Sequence, residues 1–317
     1  MASPSDFTNR LRKNVRHFRK WAQRQGLGAY RVYDLDIPEY PVAVDVYGDR
    51  VHVIEYPRRR ALRSGEADAA RAEITAAVEE VLEVPAGRVF VKRHLPLKWG
   101  QEQYERTEDD SERFVVEEQG LKFWVNLGAY LDVGLFMDHR VTRDRVRTEA
   151  RGKRLLNLFS YTGAFTVYAA AGGAKETTSV DLSNTYVAWT QENLVLNGLW
   201  APRHELLRDD VLQWLEHEGA RREGQYDLAV LDPPPFSTSK KMQKSFDVQK
   251  DHVALITDTV RLLAPGGVLY FSTNYREFQL SDRATGGLAL EETTPKSIPE
   301  DFRQKDIHRC WRMVKPA

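Results

Sequence analysis

Three acidic residues in the second half of the chain stand at or just after the ends of predicted β-strands: Asp181, Asp210 and Asp232. In an open α/β sheet, ligands bind beyond the carboxyl ends of the strands. A carboxylate there can accept hydrogen bonds from ribose hydroxyls or from the exocyclic amine of a purine. The acids therefore predict a nucleoside-containing ligand at one edge of an α/β sheet.

The loop Ser160 to Gly163 follows an earlier predicted strand, the first of this half of the chain, which ends at Phe159. Its glycine lets the backbone approach a ligand, and free N–H groups at the start of the next helix can face a carboxylate. The three spaced glycines of dinucleotide-binding loops are absent. This favours a cofactor with an amino-acid carboxylate over one with a pyrophosphate.

Asp181 comes about 20 residues after this loop, the distance expected of an acid that binds a ribose. It could instead cap the following helix, although Ser183 is better placed for that role. Asp210 could accept the exocyclic amine of an adenine, or it could be a helix cap. Both interpretations of Asp210 stay open.

A second loop, Asp232-Pro233-Pro234-Pro235-Phe236, follows the fourth apolar stretch. Its consecutive prolines preset the backbone, so the loop is stiff and its carbonyls and the Phe236 ring are pre-organised. A planar base could stack on Phe236, or the ring could belong to the core. The loop runs on into three lysines that could contact phosphates or form a solvated surface: Lys240, Lys241 and Lys244.

The elements that position these loops alternate between strand and helix from residue 154 onward, which indicates an α/β class with a mainly parallel, seven-stranded, Rossmann-like sheet. We predict strands at 155–159, 178–181, 205–208, 227–232, 268–273 and 310–314. Helices are predicted to begin near Gly163, Ser183, Asp210 and Lys250, and Pro265-Gly266-Gly267 to turn into the fifth strand.

The first 135 residues mix helical and alternating β patterns and predict a smaller α+β domain. A helix over 9–25 has apolar residues on one side, and Gly48-Asp49 separates two strands of a predicted hairpin. The predicted division is a basic N-terminal helix or arm (1–30), a small RNA-binding α+β domain (31–135) and a cofactor-binding domain (136–317).

The 317 residues carry 46 Lys+Arg and 46 Asp+Glu, so only the distribution of charge can point to a partner. Residues 1–31 contain eight Lys/Arg against one acid, and we predict RNA-phosphate contacts for four of them: Arg12, Lys13, Arg16 and Lys20. The single Cys310 excludes an internal disulfide and a multi-cysteine metal site, and no metal is expected. Because no apolar run reaches the ~20 residues of a membrane span, we expect a soluble, cytoplasmic protein with no membrane partner.

Several motifs together resemble the bacterial 23S rRNA large-subunit methyltransferase family, most closely the 7-methylguanosine-forming C-terminal half of its fused bifunctional enzymes. The resemblance covers nearly the whole chain, and its motifs lie at 10–14, 40–45, 134–140, 157–163, 180–181, 193–199, 232–236 and 246–249.

This resemblance implies transfer of a methyl group from S-adenosylmethionine (SAM), with S-adenosylhomocysteine (SAH) as product, to N7 of a guanosine in domain V of 23S rRNA. It implies that Phe136 and Arg140 lie near the methionine end of the cofactor, although a structural linker explains 136–140 nearly as well. The full set of cofactor residues that we predict is Phe136, Arg140, Asn157, Phe159, Ser160, Tyr161, Thr162, Gly163, Asp181, Leu182, Ser183, Asp210, Val211 and Asp232.

The acceptor atom can be argued partly from the residues. Methylation at C5 of a pyrimidine needs a thiolate, and Cys310 lies in a late strand where a structural role is expected. The resemblance adds that 5-methylcytidine-forming relatives have a cysteine in the segment that here reads Phe271 to Asn274. Guanine N7 has its own lone pair and loses no proton. The predicted catalytic residues are Asp232, Pro233, Pro234, Phe236 and Asn274.

Two departures from the family pattern and two other functions belong beside this prediction. The N-terminal half of the fused enzymes is absent here, so a separate protein could replace it, and Thr273 stands where an asparagine is expected. The substrate could be 23S rRNA or an assembling large ribosomal subunit. The alternatives are methylation of another rRNA position, an exocyclic amine or cytosine C5, and a non-catalytic RNA-binding assembly factor.

Overall fold

The computed structural model describes residues 4–56, 64–93, 113–128, 133–219, 221–237 and 245–317. These residues group into two compact units. The first holds the described residues up to Val133 together with Glu300–Gln304, and the second holds the described parts of Gly134–Pro299 and Lys305–Ala317. The first 30 residues thus share a unit with the sheet that follows them, and a short segment near the C-terminus joins that unit.

The first unit is an α+β domain. Its elements are α1 (Pro4–Gln25), β1 (Ala29–Asp34), β2 (Val42–Tyr47), β3 (Arg50–Glu55), α2 (Ser64–Leu82), β4 (Val89–Arg93), β5 (Arg113–Glu118) and β6 (Leu121–Asn126). The sheet order is β1-β2-β3-β4, with the first three strands antiparallel and β4 parallel to β3. The predicted hairpin is present, and Gly48 adopts φ +62° in its turn.

Helix α1 forms because apolar residues recur on one face. Phe7, Leu11 and Val15 are at most 5% exposed and pack in one core with strand residues such as Val44. Burying an apolar side chain of this size contributes about 1.5–3 kcal/mol relative to leaving it exposed. The helix is therefore held by its packing within this unit.

The second unit contains the predicted α/β fold. Its elements are α3 (Arg140–Glu149), β7 (Arg154–Leu158), α4 (Ala164–Ala171), β8 (Glu176–Asp181), α5 (Asn184–Leu196), β9 (His204–Arg208), α6 (Val211–Glu218), β10 (Tyr226–Leu231), β11 (Phe236–Ser237), β12 (Phe246–Asp247), α7 (Val248–Leu262), β13 (Leu263–Thr273), α8 (Asp282–Thr285), β14 (Ala289–Glu292), α9 (Thr294–Ser297) and β15 (Arg309–Val314). A seven-stranded sheet has the order β14-β15-β13-β10-β7-β8-β9, and β15 is antiparallel to both of its neighbours. The predicted mainly parallel sheet is confirmed.

The order of this sheet reverses between β7 and β10. From β7 the chain moves outward to β8 and then β9, whereas β10 and β13 lie on the other side. Leu158 pairs with Leu231 at the carboxyl ends of the two central strands. The loops after β7 and β10 therefore start side by side, at the switch point where open α/β sheets bind ligands.

The central strands are buried on both faces, as parallel strands covered by helices must be. In β10, Leu228 and Val230 pack in one core cluster, and Ala229 and Leu231 pack in the other. Among the described residues, no helix combines the length and the apolar character needed to cross a membrane.

No prediction was made for α3, α8, α9, β11 and β12, and two further strands differ from prediction. Strand β14 was not predicted, because its four residues are all exposed and carry no apolar alternation. Strand β13 begins at Leu263, before the predicted turn at Pro265-Gly266-Gly267. A shift of register absorbs that turn within the strand: Tyr226 pairs with Leu263, but Leu228 pairs with Val268.

Candidate active site

The loop after β7 has an unusual backbone. Phe159, Tyr161 and Gly163 have φ angles of +56°, +50° and +73°. Residues other than glycine seldom adopt positive φ, and such strain costs of order 1–3 kcal/mol unless surrounding contacts impose it. Strained backbone of this kind is concentrated at functional sites.

Helix α5 holds this loop from behind. Asn193 Nδ2 donates to the carbonyl of Thr162 at 2.9 Å, and Thr190 Oγ1 donates to the carbonyl of Tyr161 at 3.1 Å. A Cβ atom on Gly163 would lie 2.7 Å from Oγ1 of Thr190 and closer still to its methyl carbon. Glycine is therefore required by both the backbone angle and the close approach of α5.

Asp181 ends β8 and faces the same loop. Its Oδ2 accepts the Tyr161 N–H and its Oδ1 accepts the Ser183 N–H, both at 2.9 Å. Burial raises the pKa of Asp181 to about 6, although the two N–H groups partly offset this effect. Each oxygen keeps a further lone pair, so the ionised carboxylate can still accept two hydroxyl groups.

The loop also contains a buried polar atom that no described residue satisfies, Oγ of Ser160. Buried hydroxyls without a partner are uncommon in folded proteins and call for an explanation such as a ligand. Together with the acceptors of Asp181 and the glycine cradle, this hydroxyl fits a cofactor that carries a ribose and an amino-acid carboxylate. Phe136 adds an exposed aromatic ring 5.0 Å from that of Tyr161.

Three predicted cofactor residues turn their side chains into the protein instead. Asn157 donates to Thr166 within the interior, the ring of Phe159 lies 5.8 Å from that of Phe246, and Val211 belongs to the core. Period-2 alternation places Asn157 on a buried face of β7. A cofactor would therefore have to meet these residues through their backbone, and their assignment to the cofactor site stays a prediction.

The helix-cap alternatives can be checked directly. Ser183 caps α5, and Asp210 caps α6 because its Oδ1 accepts the Leu212 N–H at 3.0 Å. The other oxygen of Asp210 has no partner within the described ranges, so this oxygen can still accept an amine. Leu182 is half-buried, and Arg140 is buried at the start of α3.

The loop after β10 begins with a carboxylate held from the neighbouring strand. Ser272 Oγ, at the end of β13, donates to Oδ1 of Asp232 at 2.7 Å. Phe236 is half-buried and meets Tyr275 edge to face with ring centroids 5.6 Å apart. Phe236 is thus not enclosed in the core, and it forms an aromatic pair with Tyr275 beside the loop after β10.

The remaining predicted residues of this edge have simple surroundings. Pro233 is buried, Pro234 is half-buried and Asn274 is exposed just after β13. Strands β11 and β12 pair in a two-residue ladder. The predicted phosphate-binding residues Lys240, Lys241 and Lys244 lie outside the described residues.

Ser272, Tyr275 and His139 were not among the predicted site residues, although the segments 136–140 and 271–274 were singled out by the family resemblance. His139 Nε2 lies 3.7 Å from Oδ2 of Asp232. Since these residues are far apart along the chain, only the topology of the sheet brings them together.

Cys310 is not a candidate nucleophile. It is fully buried, and burial raises the pKa of its thiol to about 11. A thiol in this environment stays protonated at neutral pH and is a poor nucleophile. The prediction of a structural cysteine agrees with these surroundings.

The basic face of α1 lies in the first unit. Lys13, Arg16 and Lys20 are exposed and have no ion-pair partner within the described part of the chain. Arg12 differs, because its guanidinium contacts Glu80 at 2.7 Å and Asn9 at 3.2 Å. Three of the four predicted cations therefore offer their charge to a partner, while Arg12 is already paired.

Comparison with known proteins gives the class. A family model described as S-adenosylmethionine-dependent methyltransferase matches residues 68–302. The structure also resembles the SMU.776 methyltransferase complexed with SAH, with a TM-score of 0.79, 27% identity and coverage of 99% of this chain and 82% of that one. The cofactor of this class is SAM, and the loop geometry described above fits it.

Relatives narrow the class to a family. Ribosomal RNA large subunit methyltransferase K of Neisseria meningitidis serogroup B is 50% identical over 316 residues, which are 99% of this chain and 88% of the relative. The K/L methyltransferase of Hahella chejuensis is 48% identical over 312 residues, but this chain spans only 43% of its length. The chain belongs to the family of ribosomal RNA large subunit methyltransferases K.

Proposed function

We propose that this chain methylates 23S rRNA of the large ribosomal subunit, at N7 of a guanosine in domain V. The observation that carries the proposal is the pairing of two loops at the switch point. One loop fits SAM, and the adjacent loop presents a carboxylate, stiff prolines and an aromatic pair but no thiol. The names of the relatives supply the class of RNA, and the family resemblance supplies the nucleotide.

In this proposal the cofactor lies between the two loops. Asp181 accepts the ribose hydroxyls, Ser160 Oγ binds the methionine end, and Asp210 accepts the adenine amine through its open oxygen. Phe136 covers the cofactor from the exposed side. When bound, SAM supplies an electrophilic methyl group on its sulfonium sulfur.

The second loop orients the acceptor. Phe236 and Tyr275 provide aromatic surfaces for a base that has been flipped out of its stack. Guanine N7 needs no base catalysis because its lone pair is available, so the enzyme supplies position. The product ring carries a positive charge, and the carboxylate of Asp232 stabilises it as that charge develops.

RNA phosphates bind the exposed cations of α1 in this proposal. Each phosphate neutralised on a single strand contributes about 0.7 to the slope of log affinity against log salt. Lys13, Arg16 and Lys20 lie on one helix and are free to make such contacts. A second protein that replaces the N-terminal half of the K/L enzymes stays a prediction.

The test is methylation of 23S rRNA from cells that lack this enzyme, with methyl-labelled SAM. Borohydride and aniline cleave RNA at 7-methylguanosine, so primer extension then maps the nucleotide. We expect one labelled guanosine in domain V, loss of label with Asp232→Ala, and full label with Asp227→Ala, whose carboxylate lies at the opposite end of β10.

Other outcomes are equally informative. Label at a guanosine that resists aniline cleavage would overturn N7 and favour the exocyclic amine. Label in a cytidine would indicate C5. If neither free RNA nor assembling subunits accept label, and Asp232→Ala complements a deletion strain fully, the chain is a non-catalytic RNA-binding factor.

A further inference from the structure

A histidine outside the predicted site lies directly beside the carboxylate of Asp232, which begins the loop after β10 (the reaction loop, residues 232–236). His139 is 5% exposed, and its Nε2 lies 3.7 Å from Oδ2 of Asp232 and 3.6 Å from Oδ2 of Asp138. Its Nδ1 is buried with no hydrogen-bond partner among the described residues.

The neighbours of His139 determine which nitrogen carries its proton. Its ring lies 4.4 Å from that of His308 at an interplanar angle of 15°. His308 is itself held by Oδ2 of Asp138 at 2.9 Å and by Oγ of Ser297 at 2.8 Å. Two stacked imidazoliums would repel each other, which disfavours a positive charge on His139.

Burial lowers the pKa of His139 more than any neighbouring charge changes it. The titratable and charged groups that face His139 are Asp138, Asp232, His308 and Arg143. A neutral imidazole has one N–H. Since Nδ1 has no acceptor within reach and Nε2 has two carboxylates near it, the proton belongs on Nε2. The N–H then points between Asp138 and Asp232.

A metal ion explains this cluster less well. Asp138, His139 and His308 offer ligand atoms within 4.8 Å of one another. A metal ion lies close to the plane of each imidazole that binds it, whereas these two rings are stacked and nearly parallel. One ion cannot lie in both planes without breaking the stack.

We propose that His139 is a positioning residue for methyl transfer: its Nε2–H fixes Oδ2 of Asp232 while Ser272 holds Oδ1. This inference rests on the proposed role of Asp232 toward the base. The contact is longer than a hydrogen bond in the free protein, and such contacts commonly close when substrate binds. Asp138, His308 and Ser297 act behind His139 and keep its ring in place.

One arm of the test does not depend on activity. In protein labelled with ¹⁵N-histidine, His139 is assigned as the signal lost in His139→Gln. We expect chemical shifts of the Nε2–H tautomer, and we expect Asp232→Asn to move them. Asp227→Asn, at the other end of the same strand, should leave them unchanged. An Nδ1–H tautomer, or no response to Asp232→Asn, overturns the proposal.

The second arm uses the fact that a glutamine amide can place its N–H near the position of Nε2, whereas an asparagine amide corresponds to Nδ1. We expect His139→Asn to lower kcat roughly 10- to 100-fold, the usual effect of losing a bond to a charged group, and His139→Gln to recover most of it. The KM for RNA and the Kd for SAH should stay within about twofold, as expected when an interaction made only in the transition state is lost.

His204 provides the matched control. It is 1% exposed, its Nε2 has no hydrogen-bond partner among the described residues, and it begins β9, an edge strand of the seven-stranded sheet. His204→Asn should lower the Tm without lowering kcat. Equal kcat values for His139→Asn and wild type, or equal losses in the two His139 variants, refute the positioning role. RNA that wild type does not label would refute the proposed function, while the NMR arm would still decide this inference.

Discussion

Replacing Asp181 by asparagine tests the cofactor site most directly. The carboxylate accepts two backbone N–H groups, from Tyr161 and Ser183, and asparagine has only one oxygen. One N–H would then face an NH₂ group, which destabilises the loop by about 1–3 kcal/mol in the free and the bound protein alike. The Kd changes because the ribose hydroxyls lose a charged acceptor, and a hydrogen bond to a charged group contributes about 1.5–3 kcal/mol. Since about 1.4 kcal/mol corresponds to a factor of ten, we expect the Kd for SAH to rise about 10- to 100-fold.

Because the pKa of Asp181 is about 6, we also expect SAH binding to depend on pH. Only the ionised carboxylate accepts both hydroxyls, and about one-eleventh is ionised at pH 5, so wild-type affinity should fall about tenfold between pH 7.5 and 5. Asp181→Asn should show no such change. The sign for folding is opposite: a raised pKa stabilises the free protein below about pH 4, and that contribution is lost as pH rises through about 6.

Isothermal titration with SAH measures both effects, and Asp227→Asn is the control because that carboxylate pairs with Arg154 at the far end of β10. Urea unfolding at pH 5 and pH 7 checks the sign for stability. Between these two pH values we expect the free energy of unfolding to fall by at most about 1 kcal/mol, because Asp181 is partly exposed. A Kd for Asp181→Asn within twofold of wild type, or the same pH dependence in both proteins, would refute the reasoning.

Three further predictions concern the loop, the base and the RNA. Gly163→Ala should lower the Tm and weaken SAH binding by more than Gly152→Ala, since both have positive φ but only Gly163 lacks room for a Cβ; equal Tm losses would contradict this. Phe236→Ala should lower kcat/KM for RNA at least tenfold while the Kd for SAH stays unchanged, as steady-state kinetics and titration can show. Replacing Lys13, Arg16 and Lys20 together by alanine should reduce the slope of log affinity for RNA against log salt concentration by about two, as filter binding can measure.

Elements with a strong local pattern were predictable. Strand β10 is a continuous apolar run and was placed within one residue of its observed bounds, and the hairpin around Gly48 follows from its turn residues. Strand β14 has four exposed residues, and it forms through its pairing with β15. No local pattern of apolar residues marks such an edge strand, so single-sequence reasoning misses it.

Some residues of the candidate site could likewise be predicted from the local sequence, and others could not. Asp181 and Asp232 could be found because position at a strand end is readable from the sequence, and their role follows from the sheet's topology. The direction of the Asn157 side chain could not be predicted, because the sequence shows that a residue lies in a strand but not which face of the strand it occupies. Its amide is used inside the protein, on Thr166.

The contacts of Asp232 show why the rest of the site needs the structure. Ser272 reaches it from the adjacent strand, 40 residues along the chain, and His139 reaches it from the segment before β7. The ring of His139 is in turn set by His308, which follows Asp138 by 170 residues. Several distant segments thus orient the reaction loop, and the strand order of the sheet brings them together. Asp232 itself can be predicted from the sequence around it, whereas the residues that orient its carboxylate cannot.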